Sequence, residues 1–204
     1  MSQGQDRFAP DRVRRQLVAL GDRPRVAFER VPGIDMEGLT PAAVLIPLTE
    51  IDGEMHALFT KRPDTMPEHS GEVSFPGGRV EEDDQSLVET ALRESEEEIG
   101  LNRESVDLFG ALVRMPTVTN YMVTTFVGEY RQPCQFRPNP REIEAIFTAP
   151  LHELAQPASH RLESRSWNGH EFELHFYDYE EHVIWGATGY MLYLLLEYLS
   201  VEQS

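Results

Sequence analysis

Apolar and polar positions along this chain alternate with two periods. Ala42 to Leu48 is a near-continuous aliphatic run, which predicts a buried strand. Asp52-Gly53 follows as a turn signal, and His56 to Lys61 reads as the second strand of a hairpin. Glu72 to Phe75 reads as a short strand leading into a glycine turn. Val106 to Arg114 and Met122 to Tyr130 alternate as strands do, with Met115 to Tyr121 linking them. Ile143 to Phe147 reads as another strand, and Arg161 to Arg165 with Phe172 to Tyr177 as a hairpin around Asn168-Gly169. Helical spacing appears in Asp11 to Leu20, in Asp84 to Ile99 with Gly100 as its C-cap, and in Trp185 to Tyr198; Pro150 to Leu154 reads as a helical turn. Strands, a helix, more strands and a closing helix predict an α/β fold: a mixed sheet covered by helices on both faces.

The remaining segments are irregular. Arg23 to Thr40 contains Pro24, Pro32 and Gly33, Pro63 to Ser70 is a loop, and Arg131 to Arg141 holds three prolines. The expected organisation is a helix and irregular lead-in over residues 1–40, then one domain over 41–204. At 204 residues the chain suffices for one sizeable core.

Charge narrows the function classes. A net charge of −17 argues against a nucleic-acid backbone binder, which needs a basic face. Lys61 is the only lysine and Cys134 the only cysteine, so no internal disulfide forms. The first residues lack an apolar signal core, and Val183 to Leu199 is broken by Gly186, Gly189 and Glu197, as in a buried helix. The expectation is a cytoplasmic protein without a membrane span. Monomer and homodimer both stay open.

The chemistry concentrates between Phe75 and Leu101. Glu94, Glu97 and Glu98 lie three and four apart on the acidic helix and are expected to project together. Carboxylates held that close repel unless a cation sits among them, and Mg²⁺ or Mn²⁺ prefers such oxygen ligands. A solvated acidic face is the competing reading of the glutamate run alone.

Gly78, Asp84, Ala91, Arg93, Glu94, Glu97, Glu98, Gly100 and Leu101 resemble the signature of the Nudix hydrolases. Three positions depart from it: Asp84 stands in place of Glu, the gap from Asp84 to Arg93 is one residue longer, and Ser95 replaces an aliphatic residue. Upstream, Leu58-Phe59-Thr60-Lys61-Arg62, Gly71 and Phe75-Pro76-Gly77-Gly78 resemble the coenzyme A pyrophosphatase branch of that family. There Phe59, Pro63 and Pro67 depart, Pro67 replacing a second Arg. His69 to Phe75, Asn139 to Ile143 and Val183 to Thr188 resemble further segments of the branch.

The resemblance implies an α/β/α sandwich and a metal-dependent hydrolase that cleaves the diphosphate of a small nucleotide, coenzyme A or its thioesters. Glu94, Glu97 and Glu98 would hold Mg²⁺ or Mn²⁺, with the Gly78 carbonyl as a further ligand. Arg93 would orient a glutamate. The base is one of the helix glutamates or Glu142. Arg62, His69, Gly71 and Arg79 are the substrate-binding candidates. Asp84 is expected to cap the helix, and Trp185 to lie in the core rather than serve as an adenine platform. A Nudix hydrolase of ADP-ribose or a nucleoside triphosphate is the alternative. A non-catalytic binding module is disfavoured, because it has no need of the repelling cluster.

Overall fold

The computed structural model describes residues 7–28, 31–65 and 70–201. Its elements in order are α1 (Pro10–Leu17), β1 (Arg25–Val26), β2 (Thr40–Ile51), β3 (Glu54–Lys61), β4 (Val73–Ser74), β5 (Gly77–Arg79), α2 (Leu87–Ile99), β6 (Val106–Pro116), β7 (Tyr121–Tyr130), β8 (Ala145–Pro150), α3 (Leu151–Leu154), β9 (His160–Trp167), β10 (His170–Tyr179), β11 (His182–Ile184) and α4 (Gly186–Ser200). The main sheet is mixed and runs β1-β6-β7-β2-β3-β4, with β5 paired to β2 and β8 to β3. A smaller sheet runs β11-β10-β9.

The period of two on β2 builds a core on each face. Ala42, Ile46 and Leu48 join one cluster, packed with Val13 and Leu17 of α1 and with Leu192, Leu195 and Leu199 of α4. Ala43 and Leu45 point the other way, to Ala91 and Ile99 of α2, with Leu58, Ala111, Phe126 and Ile143. Each fully buried aliphatic side chain contributes about 1.5–3 kcal/mol relative to exposure. Helices therefore cover both faces of a mixed sheet. Part of the lead-in belongs to this architecture: β1 pairs in parallel with β6, and Val13 and Leu17 are buried.

Both predicted hairpins form. Asp52 and Gly53 have φ of 51° and 82°, and Asn168 and Gly169 have 49° and 77°, the left-handed pairs that a two-residue hairpin turn requires. Several boundaries differ from the sequence reading. The strand expected over Ile143 to Phe147 is β8, two residues later, because Glu142 and Ile143 form a turn onto the Asn139 carbonyl. The short strand expected over Glu72 to Phe75 is reduced to β4. The glycine turn itself becomes β5, and β11 adds a strand beyond those the sequence pattern predicts. Trp185 is not in the core: it is 38% exposed and stacks on Phe176 at 5.7 Å between ring centres. Among the described residues no helix is long and apolar enough to cross a membrane.

Candidate active site

Two adjacent glycines bring β5 and α2 together. β5 runs antiparallel to β2, with Gly77 opposite Val44 and Gly78 opposite Ala43. A Cβ on Gly77 would lie 2.4 Å from the Ala43 carbonyl oxygen, so only glycine lets the strand approach. A Cβ on Gly78 would lie 2.5 Å from the Glu94 carboxylate. The carboxylate of Glu94 thus rests directly on the Gly78 main chain.

One turn further along α2, Glu98 is 5% exposed and accepts a hydrogen bond of 3.2 Å from the Gly77 N–H. Burial pushes its carboxyl up to about 8, with Glu94 and Glu142 adding to the shift and the Gly77 N–H and Arg62 opposing it. Burial also raises Glu94, against the pull of Arg93. Glu97 is different. Its side chain is 60% exposed and meets Arg93 Nη1 at 3.1 Å. Glu94 and Glu97 thus share Arg93 Nη1, as their spacing suggests, whereas Glu98 turns under the glycine turn. Among the described residues no three His, Cys, Asp or Glu side chains are grouped closely enough to hold a metal ion.

Arg93 is fully engaged. Nε and Nη2 reach the two oxygens of Asp84 at 2.9 Å each, Nη1 reaches Glu94 at 3.0 Å, and Nη2 also reaches the Arg79 carbonyl at 3.1 Å. This one side chain ties the segment before α2 and the end of β5 to the helix carboxylates. Asp84 is not the helix cap. Besides Arg93 it accepts from the Glu81 N–H and the Thr90 hydroxyl, both at 2.9 Å, and Arg93 holds its carboxyl far below the usual range. Ser86 caps α2 instead: its hydroxyl accepts from the Glu89 N–H at 3.2 Å, and Gly100 closes the helix with φ 71°. Ser95, the polar substitution in the motif, is buried and satisfies its hydroxyl on the Ala91 carbonyl at 2.7 Å.

The proline-rich loop docks on the end of α2. The Asn139 N–H donates to the Glu98 carbonyl and the Arg137 N–H to the Ile99 carbonyl, each at 2.8 Å. Asn139 Nδ2 then holds Glu142 Oε1 at 2.9 Å, close enough for Glu142 to act on Glu94 and Glu98. Arg62, just beyond β3, places a positive charge that acts on Glu98. Its Nε is buried and has no hydrogen-bond partner among the described residues. Arg79 lies on β5 with its side chain exposed. Gly71 has φ 67°, and a Cβ there would lie 2.5 Å from Asp64 Oδ1, so it serves a tight turn. His69 lies outside the described residues.

The structure thus gathers Glu94, Glu98, Arg93, Glu142, Gly78 and Arg62, and leaves the Arg79 side chain and Glu97 on the rim. Sequence reasoning gave no role to Asn139, whose Asn-Pro turn was its signal, nor to the Gly77 N–H. It also passed over Ser86, although Ser86 and Glu89 have capping-box spacing. The oxygen groups gathered here are of the kind a hard divalent ion takes: the buried Glu98 carboxyl has one N–H partner and two carboxylate neighbours, Glu94 and Glu142, and Glu94 rests on the Gly78 main chain.

The family model described as a NUDIX domain matches residues 39–170. Nudix hydrolase 15, mitochondrial, of Arabidopsis thaliana is 41% identical over 158 residues, covering 74% of this chain and 55% of that protein. The chain thus spans about half the length of that relative. The uncharacterised Nudix hydrolase NudL of Photorhabdus laumondii is 34% identical over 160 residues, covering 78% of this chain and 85% of that protein. In fold, the Nudix hydrolase RenU from M. smegmatis superposes with a TM-score of 0.50 at 20% identity, over 60% of this chain and 78% of that one. With the family model covering well over half of its residues, this chain belongs to the Nudix hydrolase family.

Proposed function

We propose that this protein hydrolyses the diphosphate bridge of coenzyme A or its thioesters, releasing 3′,5′-ADP and 4′-phosphopantetheine or its acyl form. The observation that carries the reading is the pairing of buried Glu98, flanked by Glu94 and Glu142, with the Nε of Arg62, which has no hydrogen-bond partner among the described residues. The first set suits a divalent ion and a water; the second suits a phosphoryl oxygen. The family resemblance implies a divalent ion, Mg²⁺ or Mn²⁺.

Glu94, Glu98 and the Gly78 carbonyl would hold Mg²⁺ or Mn²⁺, and Glu97 would join them by leaving Arg93. When bound, such an ion neutralises diphosphate charge and acidifies water. Arg93 sets the direction of Glu94 and keeps Asp84 out of the ligand set. Once ionised beside the bound cation, the Glu98 carboxylate would accept the proton of the attacking water. Glu142, held by Asn139, is the other base within the same cluster. Arg62 meets the charge that the leaving phosphate carries away.

One observation favours a second reading, hydrolysis of another nucleoside diphosphate derivative such as ADP-ribose. Pro67 stands where the coenzyme A branch places a second Arg, which removes a cation suited to the 3′-phosphate. The test is kcat/KM for coenzyme A, 3′-dephospho-coenzyme A and ADP-ribose, side by side. Coenzyme A is expected to lead. A preference for ADP-ribose of about tenfold, or ~1.4 kcal/mol, would replace the coenzyme A reading with the second.

A further inference from the structure

The small sheet has two long edges, and the chain treats them differently. The β10 edge beyond β11 is covered. Gly189 of α4 lies so close that a Cβ would be 2.4 Å from the His175 carbonyl oxygen, and Phe28 of the lead-in stacks on Tyr190 of the same helix at 5.3 Å. Among the described residues the β9 edge has no helix over it, and the lead-in reaches β9 only at its Trp167 end, where a Cβ on Gly33 would lie 3.0 Å from the indole. Its pairing with β10 is unbroken from Trp167 opposite His170 to His160 opposite Tyr177, with no bulge and no proline. Apart from β10, no hydrogen bond among the described residues reaches its main chain. An uninterrupted open edge is a template for another strand.

The Asn168-Gly169 turn decides which groups face outward. In a two-residue hairpin of this kind the flanking Trp167 and His170 exchange hydrogen bonds. Arg165, Glu163 and Arg161 therefore turn their main-chain groups toward β10. Ser166, Ser164, Leu162 and His160 turn theirs away, toward open space. On this outward set Leu162 is 51% exposed, a large apolar side chain on a bare edge.

We propose that β9 is a self-association edge: a second copy of this chain adds its own β9 antiparallel across a two-fold axis at Leu162, making one six-stranded sheet. Outward-turned residues must meet outward-turned residues, so registers are open only in steps of two. Within one chain Glu163 already meets both Arg161 and Arg165, and Arg161 meets Asp178; the registers differ in whether a second copy extends or opposes these pairs. An axis at Glu163 sets Glu163 against itself and Arg161 against Arg165 of the second copy, and like charges directly opposite destabilise a pair. An axis at Ser164 sets Glu163 against Arg165 but leaves Leu162 facing Ser166. An axis at Leu162 sets Arg161 against Glu163 twice and covers each Leu162 with its copy. The order Arg161, Glu163, Arg165 is thus self-complementary, where charges of one sign would block the edge. An edge contact of this length is small, so the association is concentration-dependent.

The experiment is molar mass by light scattering across a concentration series, on the whole chain, with circular dichroism to confirm folding. Wild type is expected to rise toward two chains as concentration increases. Leu162→Pro removes only an outward N–H, keeps the bonds to β10, and is expected to stay at one chain throughout. Arg161→Glu alone is expected to be a single chain, and Arg161→Glu with Glu163→Arg to recover the dimer. A wild type that remains one chain at every concentration overturns the proposal. So does a dimer that survives Leu162→Pro, or a charge exchange that restores nothing.

Discussion

Two arginines in this molecule each hold three carboxylates, at opposite ends of β2. Arg14 meets Asp11, Glu50 and Glu129 at 3.4, 2.8 and 2.6 Å; Arg93 meets Asp84, Glu94 and Glu97 at 2.9, 3.0 and 3.1 Å. As local chemistry the two are near twins. Their surroundings separate them. The carboxylates of Arg14 come from α1, β2 and β7, and the cluster links a helix to two strand ends. Those of Arg93 lie on α2 and the segment before it, beside the buried Glu98, the docked Glu142 and an Arg62 Nε without a partner among the described residues. An arginine among acids is a structural tie. What marks the second as the candidate active site is the charge left over next to it: a carboxyl buried against its own kind, and an arginine Nε with no hydrogen-bond partner among the described residues.

The sharpest way to break that comparison is Glu98→Gln. Turnover is expected to fall about a thousandfold, roughly 4 kcal/mol of barrier, with the fold retained because glutamine matches the volume and relieves repulsion. Arg14→Ala, at the other end of β2, is expected to leave kcat/KM unchanged. Steady-state kinetics on the pair decide it. A thousandfold loss in Arg14→Ala, or a wild-type rate in Glu98→Gln, would mean that the two clusters had been assigned the wrong way round.

A second prediction uses pH. The Glu98 carboxyl is raised in the folded state from 4.5 to about 8. A raised carboxyl favours the folded state in its protonated form, so its contribution is fully present below the unfolded value. It is lost as pH climbs from about 4.5 through about 8. Chemical denaturation of metal-free protein should show stability falling over that window by a few kcal/mol, at ~1.4 kcal/mol for each pH step between the two values. In Glu98→Gln that part of the slope should vanish. An unchanged slope would show that Glu98 does not titrate as its burial demands.

The smallest effects separate the two arginines as ties. Asp84→Asn breaks a bidentate pair with little exposure and is expected to cost about 2–3 kcal/mol of stability, because Arg93 loses its anchor in a shielded place. Arg14→Ala removes a more exposed hub and is expected to cost about 1 kcal/mol. Melting temperatures of both variants test the ranking, and equal losses would remove the distinction in shielding.

Much of this was legible in the chain. Asp52-Gly53 and Asn168-Gly169 announce hairpins because few residue pairs tolerate two successive positive φ angles. The spacing of Arg93, Glu94, Glu97 and Glu98 announces one helix bearing acids. The rest depended on tertiary context. Gly77 and Gly78 carry no side-chain period, so nothing local shows that they extend along β2 as a strand. Asp84 precedes the helix as a cap residue would, yet the guanidinium of Arg93 competes for it more strongly than a backbone N–H can, and Ser86 takes the cap. Helical spacing placed three glutamates together, but the Gly77 N–H draws Glu98 inward while Arg93 holds Glu94 and Glu97. Trp185 heads an apolar helix, and only the sheet topology shows its ring stacked on Phe176 at the surface.

On the proposed reading, the leftover charge around Glu98 holds a divalent ion over a diphosphate. The most direct measurement is hydrolysis of coenzyme A by the purified protein in metal-free buffer with a chelator, followed by addition of Mg²⁺ or Mn²⁺. No turnover is expected with the chelator, and full recovery on adding the ion. Undiminished turnover in the chelated sample would contradict the claim.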